Sequence, residues 1–433
     1  EFSCKTGPIS PLCFPNMSEQ TQGKSADVDN PKVYLIAAVL GAGVGLISIG
    51  FLFAVKTAKE LIWTSELERI NPVVVLSISV VGGLIVGVLN QLAEKSRSEV
   101  HDLTEAIADM EEVETKQAPP ARLIFGRAGL GVVSLGFGGP LGPEAPLIAL
   151  VAQLSSRLSH ILKVTQARVV ELSVAGSLGV LFGVPLVLAG IESEEKAKNR
   201  NIGQRIVARG PEILAAISSL FVITKLLPEI GIHQFTSANS AEVGFGIDLI
   251  WVALIALLAA SLGLAIVRAT PKARELVVSK IPGGAIPAGL ISGLILGASA
   301  VVTPLVLFSG HHEIQEILDS PIGVGNLLVV VALKTLVLIA CLAGGWYGGQ
   351  IFPLAFIGAG TALVVAELVN SSATLGLVAA GFVAASAVGI RRPALALLLG
   401  FVLFPATTWI PMLFATVIAV AVIGKRSAEL PSH

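Results

Sequence analysis

Charge is what this sequence has least of. Only 14% of its 433 residues are Asp, Glu, Lys or Arg, against about 25% in an ordinary soluble domain. With 54% hydrophobic residues and a mean hydropathy of +0.83, the chain reads as a polytopic membrane protein and not as a soluble enzyme. Basic tracts are missing as well, and the net charge is -1, so nothing points to nucleic acid as a partner. Cysteine is scarce: Cys4 and Cys13 lie in a polar N-terminal stretch and Cys341 in an apolar run. They offer neither a metal-ligand spacing nor a disulfide framework, and Cys341 reads as packing. No cofactor or metal is called for. Residues 1–32 have no apolar core of signal-peptide length and read as a disordered or non-native tail, with Met17 a candidate start.

What is there is apolar sequence, broken in particular places. Candidate spans run over 33–55, 71–92, 121–137, 144–161, 166–181 and 204–227, and then over 247–268, 283–303, 324–343, 353–369, 374–388, 392–404 and 408–424. The polar segment Glu229–Glu242 separates two halves, about 33–228 and 247–424, with a short tail at 425–433. A stretch at 99–107 could form a short amphipathic helix capped by Ser98. His311-His312-Glu313 opens another short helix, to about Leu318. Several of the apolar runs are shorter than the ~20 residues needed to cross a bilayer. Such interrupted segments, in matching places, point to a central binding site.

One interruption holds an acid. In Gly138-Gly139-Pro140-Leu141-Gly142-Pro143-Glu144-Ala145-Pro146-Leu147, Glu144 is the only charged residue between Arg127 and Arg157. A carboxylate at mid-bilayer costs about 2.5–3.5 kcal/mol on insertion scales, which marks it as functional by default. Glycine and proline break the helix before it, and Pro146 suits the first turn of a new one. A helix start offers unpaired N–H groups and a positive dipole end, both of which favour anions. Glu144 is therefore read as a carboxylate parked at a buried anion site, where it would compete with a passing anion. The plainer alternative is a lone Glu facing a watery crevice.

The motif recurs. Gly138, Gly142, Pro146 and Leu147 are matched 207 positions later by Gly345, Gly349, Pro353 and Leu354, and Pro185 is matched by Pro393 at an offset of 208. Two motif pairs at nearly one offset indicate a two-fold repeat. The second copy, around Gly344-Gly345-Trp346-Tyr347-Gly348-Gly349-Gln350-Ile351-Phe352-Pro353, has no acid; Lys334 and Glu367 are its nearest flanking charges. If the repeats are inverted, one gate carboxylate sits beside two helix starts.

These residues resemble the CLC family of chloride channels and chloride/proton exchangers. Gly142-Pro143-Glu144-Ala145-Pro146 is similar to the family's G-[K/R]-E-G-P motif, with Pro and Ala replacing two members. Gly348-Gly349-Gln350-Ile351-Phe352-Pro353 resembles G-G-x-F-x-P with Phe one place late, and Phe182-Gly183-Val184-Pro185-Leu186 resembles F-N-A-P-L. The resemblance covers about residues 33–424. It implies an all-α membrane domain, an inverted repeat of two halves with broken, tilted helices, and a homodimer with one pore per subunit in a prokaryotic plasma membrane. It implies that Glu144 is the gating glutamate. The anion would be held around Gly142, Pro143, Ala145 and Pro146 and around Gly349, Gln350, Ile351 and Phe352.

Three departures stand out. The family's first anion motif, G-S-G-I-P, places its serine at best at Ser98, in Arg97-Ser98-Glu99-Val100-His101, without the glycines or the proline. The pore tyrosine expected beyond the final span has no counterpart, and Tyr347 lies in the wrong motif. The exchangers' internal proton glutamate aligns with Glu195, beside Glu192 and Glu194 in what otherwise reads as a solvated helix-end cluster. The expected function is chloride transport, by proton-coupled exchange or, alternatively, through an uncoupled gated channel. An intramembrane metalloenzyme built on His311-His312-Glu313 is the alternative from another class, disfavoured because the metal-binding helix motif needs two His at i and i+4.

Overall fold

In the computed structural model, residues 31–63, 71–94, 120–162, 164–182, 209–227, 234–237, 241–244, 246–391 and 393–424 are described. Ser98 and its amphipathic helix, the cluster Glu192–Lys196 with Glu195, and Gly183–Leu186 with Pro185 lie outside the described residues.

Among the described residues the chain is helical, with no named strand. The first half contributes α1 (Pro31–Ile62), α2 (Pro72–Glu94), α3 (Ala121–Gly136), α4 (Glu144–Leu162), α5 (Gln166–Phe182) and α6 (Gly210–Leu226). The second contributes α7 (Ile247–Lys280), α8 (Ala285–Val302), α9 (His311–Asp319), α10 (Val324–Ala343), α11 (Ile351–Leu368), α12 (Thr374–Ile390), α13 (Pro393–Leu403) and α14 (Trp409–Gly424). Seven of these segments are long and apolar enough to cross a membrane, so the protein is a multi-pass membrane protein. Shorter ones, such as α3 and α13, are of the kind that stops part-way.

The boundaries follow the hydropathy closely except at the ends of two helices: α1, expected over 33–55, runs on to Ile62, and α7 overshoots further. The expected span 247–268 is part of a helix that runs on to Lys280, through Pro271. Proline removes one i→i−4 bond, here the one that would reach Val267. Beyond Arg268 the residues are largely exposed. They stay helical because Lys272-Ala273-Arg274-Glu275-Leu276 is made of good helix formers, a signal that a hydropathy window discards.

The repeat governs the packing. α2 and α8 are counterparts at the 207-residue offset, and they lie against each other. Gly83 meets Gly289, Gly87 meets Ala285 and Ile286, Gly293 meets Ser79, and Gly297 meets Leu76. Numbers rise along one helix as they fall along the other, so the pair is antiparallel and the two halves are inverted. Glycine makes the crossing possible: a Cβ on Gly83 or Gly289 would run into the other's carbonyl oxygen. Small residues that let backbones touch are the usual means of helix association in lipid. Gly289→Leu is expected to cost about 1–3 kcal/mol by overpacking, whereas Gly126→Ala on α3, with nothing within 4 Å of its Cβ, should cost little. Thermal unfolding in detergent checks this; equal midpoints for the two variants would contradict it.

At the centre, α12 is buried at every position from Leu375 to Ile390, as expected of a helix apolar all round. Against it packs α11, buried over most of its length. The polar segment between the halves is not only a linker. Phe235 within it is buried, its ring 4.9 Å from Phe404 and 5.2 Å from His311.

Candidate functional site

The two broken turns are built alike. At the end of α3, the N–H groups of Phe137, Gly138 and Gly139 donate to the carbonyls of Val133 (3.0 Å), Leu135 (3.3 Å) and Ser134 (2.9 Å). At the end of α10, those of Gly344, Gly345 and Trp346 donate to Ala340 (2.8 Å), Leu342 (3.4 Å) and Cys341 (3.0 Å). Each bond recurs 207 positions on. Gly138 has φ 85° and Gly345 φ 88°, a left-handed conformation that a residue with a Cβ rarely adopts. These two glycines turn the chain back towards the middle of the protein.

There the halves meet. Gly142 N–H donates to Gly349 O and Gly349 N–H to Gly142 O, both at 2.8 Å. This antiparallel bridge joins counterpart residues, so the local two-fold axis passes between them. Two residues later each chain enters a helix, α4 at Glu144 and α11 at Ile351. Each has proline at its third position, which removes one of the amides that a helix start leaves unpaired. Leu147 N–H then closes on Pro143 O (3.1 Å), and Leu354 N–H on Gln350 O (3.0 Å).

The symmetry fails at one side chain. Glu144 corresponds to Ile351, and Glu144 Oε1 accepts the N–H of that same Ile351 at 3.1 Å. The carboxylate of one half thus caps the helix of the other. Glu144 is fully buried. A negative charge at a helix N-terminus is stabilised by up to about 2 kcal/mol in partly buried geometries, and a hydrogen bond to a charged group contributes about 1.5–3 kcal/mol. The carboxylate fills the space between the bridged glycines: a Cβ on Gly142 or on Gly349 would collide with Glu144 atoms and, in both cases, Glu144 supplies the three nearest.

Comparison with known proteins bears on the whole of this architecture. The model of the voltage gated chloride channel family matches residues 82–424. The chain belongs to the CLC family. It is 31% identical over 293 residues to the putative ion-transport protein YfeO of Salmonella schwarzengrund (strain CVM19633), covering 65% of this chain and 68% of that one. Among solved structures it is similar to a slow cyanobacterial Cl–/H+ antiporter, with a TM-score of 0.75, 20% identity and coverage of 93% and 97%. It is also similar to a CLC-type fluoride/proton antiporter, with a TM-score of 0.71, 17% identity and coverage of 90% and 95%. At these identities the structures speak for the fold. As a CLC protein the chain is an ion transporter and not an enzyme.

Within this CLC fold, the residues singled out by motif converge. Gly142, Ala145, Pro146, Gly349, Gln350 and Ile351 are buried around Glu144, while Pro143 and Phe352 are half-buried. The Phe352 ring lies 5.5 Å from that of His311. His311 is thus packed among aromatic rings at the start of α9, and no group of three or more His, Cys, Asp or Glu placed to hold a metal occurs among the described residues. Cys341 is fully buried in the core. Three structural features escaped the motif reading: Ile351 as the carboxylate's partner, the burial of Phe235, and the burial of Lys334, which the sequence shows only as a flanking charge. A lone lysine in an apolar span was signal enough to single out the last.

Proposed function

We propose that this protein carries chloride or a similar small anion across the membrane through a pathway gated by Glu144, in exchange for protons. The observation that carries the reading is the Ile351 N–H held by Glu144 Oε1 at the junction of two inverted helix starts. An anion and the carboxylate would compete for the same donors. Protonation removes the carboxylate's charge, weakens its hold on Ile351, and lets an anion take its place. Reversal returns the carboxylate and leaves a proton to be delivered, with Glu195 the candidate for the inner relay. The backbone around Gly142–Pro146 and Gly349–Phe352 would make up the anion's surroundings, with Ser98 a further candidate ligand. The two helix starts bring the amides of Ala145, Ile351 and Phe352 to this place, whereas Pro143 and Pro146 have none and those of Gly142 and Gly349 are engaged in the bridge. A homodimer in a prokaryotic plasma membrane, one pathway per subunit, is the assembly proposed. Two structural relatives are antiporters, one of chloride and protons and one of fluoride and protons, which is consistent with exchange.

The test is reconstituted flux with chloride and pH recorded together. Chloride moving down its gradient should drive protons against theirs, at a fixed ratio. Chloride movement with no proton movement would replace exchange by the channel reading. An absence of halide flux would overturn both.

A further inference from the structure

Lys334 is a basic residue with no exposed surface, in the middle of an apolar helix. Its Nζ donates to the carbonyls of Phe308 (2.8 Å), Leu307 (2.9 Å) and Val306 (3.1 Å), with Leu305 at 3.3 Å. The Phe356 ring lies 4.9 Å away. An ammonium has three protons, so four converging carbonyl dipoles share them and offset the cost of burying the charge.

A loop whose consecutive carbonyls all point at one atom is tightly wound. At its end Phe308 has φ 54°, a rare conformation for a bulky residue. Strain of this kind persists where the surroundings over-determine it. Here Phe308 N–H donates to Gly138 O at 3.0 Å. Its ring sits 4.2 Å from Lys59 Nζ and 5.8 Å from the Trp63 ring, both contributed by the first half. The loop belongs to the second half, yet it plugs into the first at the glycine that turns the chain towards Glu144. The opposite turn is held in kind: Asn90 Nδ2, from α2, donates to Gly345 O at 2.7 Å. Gly138 and Gly345 are therefore each tied down by a donor from the other half.

We propose that Lys334 is a positioning residue for anion transport: through the loop 305–308 it fixes the Gly138 turn, and with it the seat of Glu144 on Ile351. This rests on the reading of Glu144 as the anion's competitor. A loosened turn weakens the carboxylate's hold and spoils the alignment of the amides.

The experiment measures chloride flux against chloride concentration in proteoliposomes for wild type, Lys334→Met, Phe308→Ala and Glu144→Ala. Phe308→Ala keeps the lysine charge and loosens only the loop's anchorage. For Lys334→Met, maximal flux per folded protein should fall about tenfold to a hundredfold, the scale on which a shift of about 1 Å acts in an oriented site. The half-saturating chloride concentration should move towards the Glu144→Ala value. A purely structural role would lower the amount of active protein and leave that concentration unchanged. Phe308→Ala should move it in the same direction, and it decides the matter should Lys334→Met fail to fold. A half-saturating concentration at the wild-type value in the folded variants overturns the inference. If Glu144→Ala itself matches wild type, the gating reading fails first, whatever Lys334 does.

Discussion

Replacing Glu144 with alanine should leave anion flux running and disconnect it from protons. The wild-type carboxylate accepts the Ile351 N–H at the meeting point of two helix starts, so under the proposed function it would be both the anion's rival and the carrier of a proton. Removing it abolishes the rivalry. The lost hydrogen bond, about 1.5–3 kcal/mol for a charged acceptor, corresponds to an apparent anion affinity about ten- to a hundredfold tighter. Proton movement should fall to the level of empty liposomes. Glu144→Gln, which mimics the protonated acid, should have a flux independent of pH, whereas wild-type flux should rise as pH falls and the carboxylate is neutralised. Chloride and proton electrodes on one liposome suspension read all of this. Coupled proton movement that survives in Glu144→Ala would remove Glu144 from the mechanism.

The second large effect lies on the glycine bridge. A methyl group at position 349 would collide with the Glu144 carboxylate, and its three nearest heavy atoms all belong to that side chain. Gly349→Ala should therefore destabilise the folded protein by about 1–3 kcal/mol, the size expected of overpacking, as read by unfolding in detergent. The obstacle is the carboxylate itself, so the loss should be relieved when Glu144 is also alanine. In the Glu144→Ala background, Gly349→Ala should cost no more than about 0.5 kcal/mol of stability, the level at which independent substitutions add. Contacting residues commonly show coupling of about 0.5–3 kcal/mol in such cycles, and this pair should lie towards the upper end. Additive losses would mean that the glycine is needed for backbone conformation and not for the carboxylate's room. Gly349 is not among the positive-φ glycines, which favours the steric account.

How much of this was legible in the sequence depends on how local each feature is. The turn at Gly138 and its copy at Gly345 were legible, because the left-handed conformation restricts the residue type at the position itself and leaves a glycine to be read. Pro146 and Pro353 likewise fix helix starts by removing their own amides. The inverted arrangement was legible only as a condition, since the 207-residue offset shows a repeat and not its direction; direction came from the order in which Gly83, Gly87, Gly289 and Gly293 meet. Partners across the halves left no local trace. Nothing about Ile351 announces that its N–H meets Glu144, and nothing about Phe308 announces a positive φ or a carbonyl that accepts from a lysine 26 positions away. The lower end of α7 was misjudged for the opposite reason. Helix propensity continues there after hydropathy has ended.

The most direct measurement is anomalous diffraction from bromide-soaked crystals of wild type and Glu144→Gln at neutral pH. If the carboxylate plugs a site made by the two helix starts, the glutamine variant should show bromide within hydrogen-bonding reach of the Ile351 N–H, at the place the wild-type carboxylate fills. Bromide absent from that junction in Glu144→Gln, or bound there in wild type with the carboxylate still on Ile351, would contradict the account.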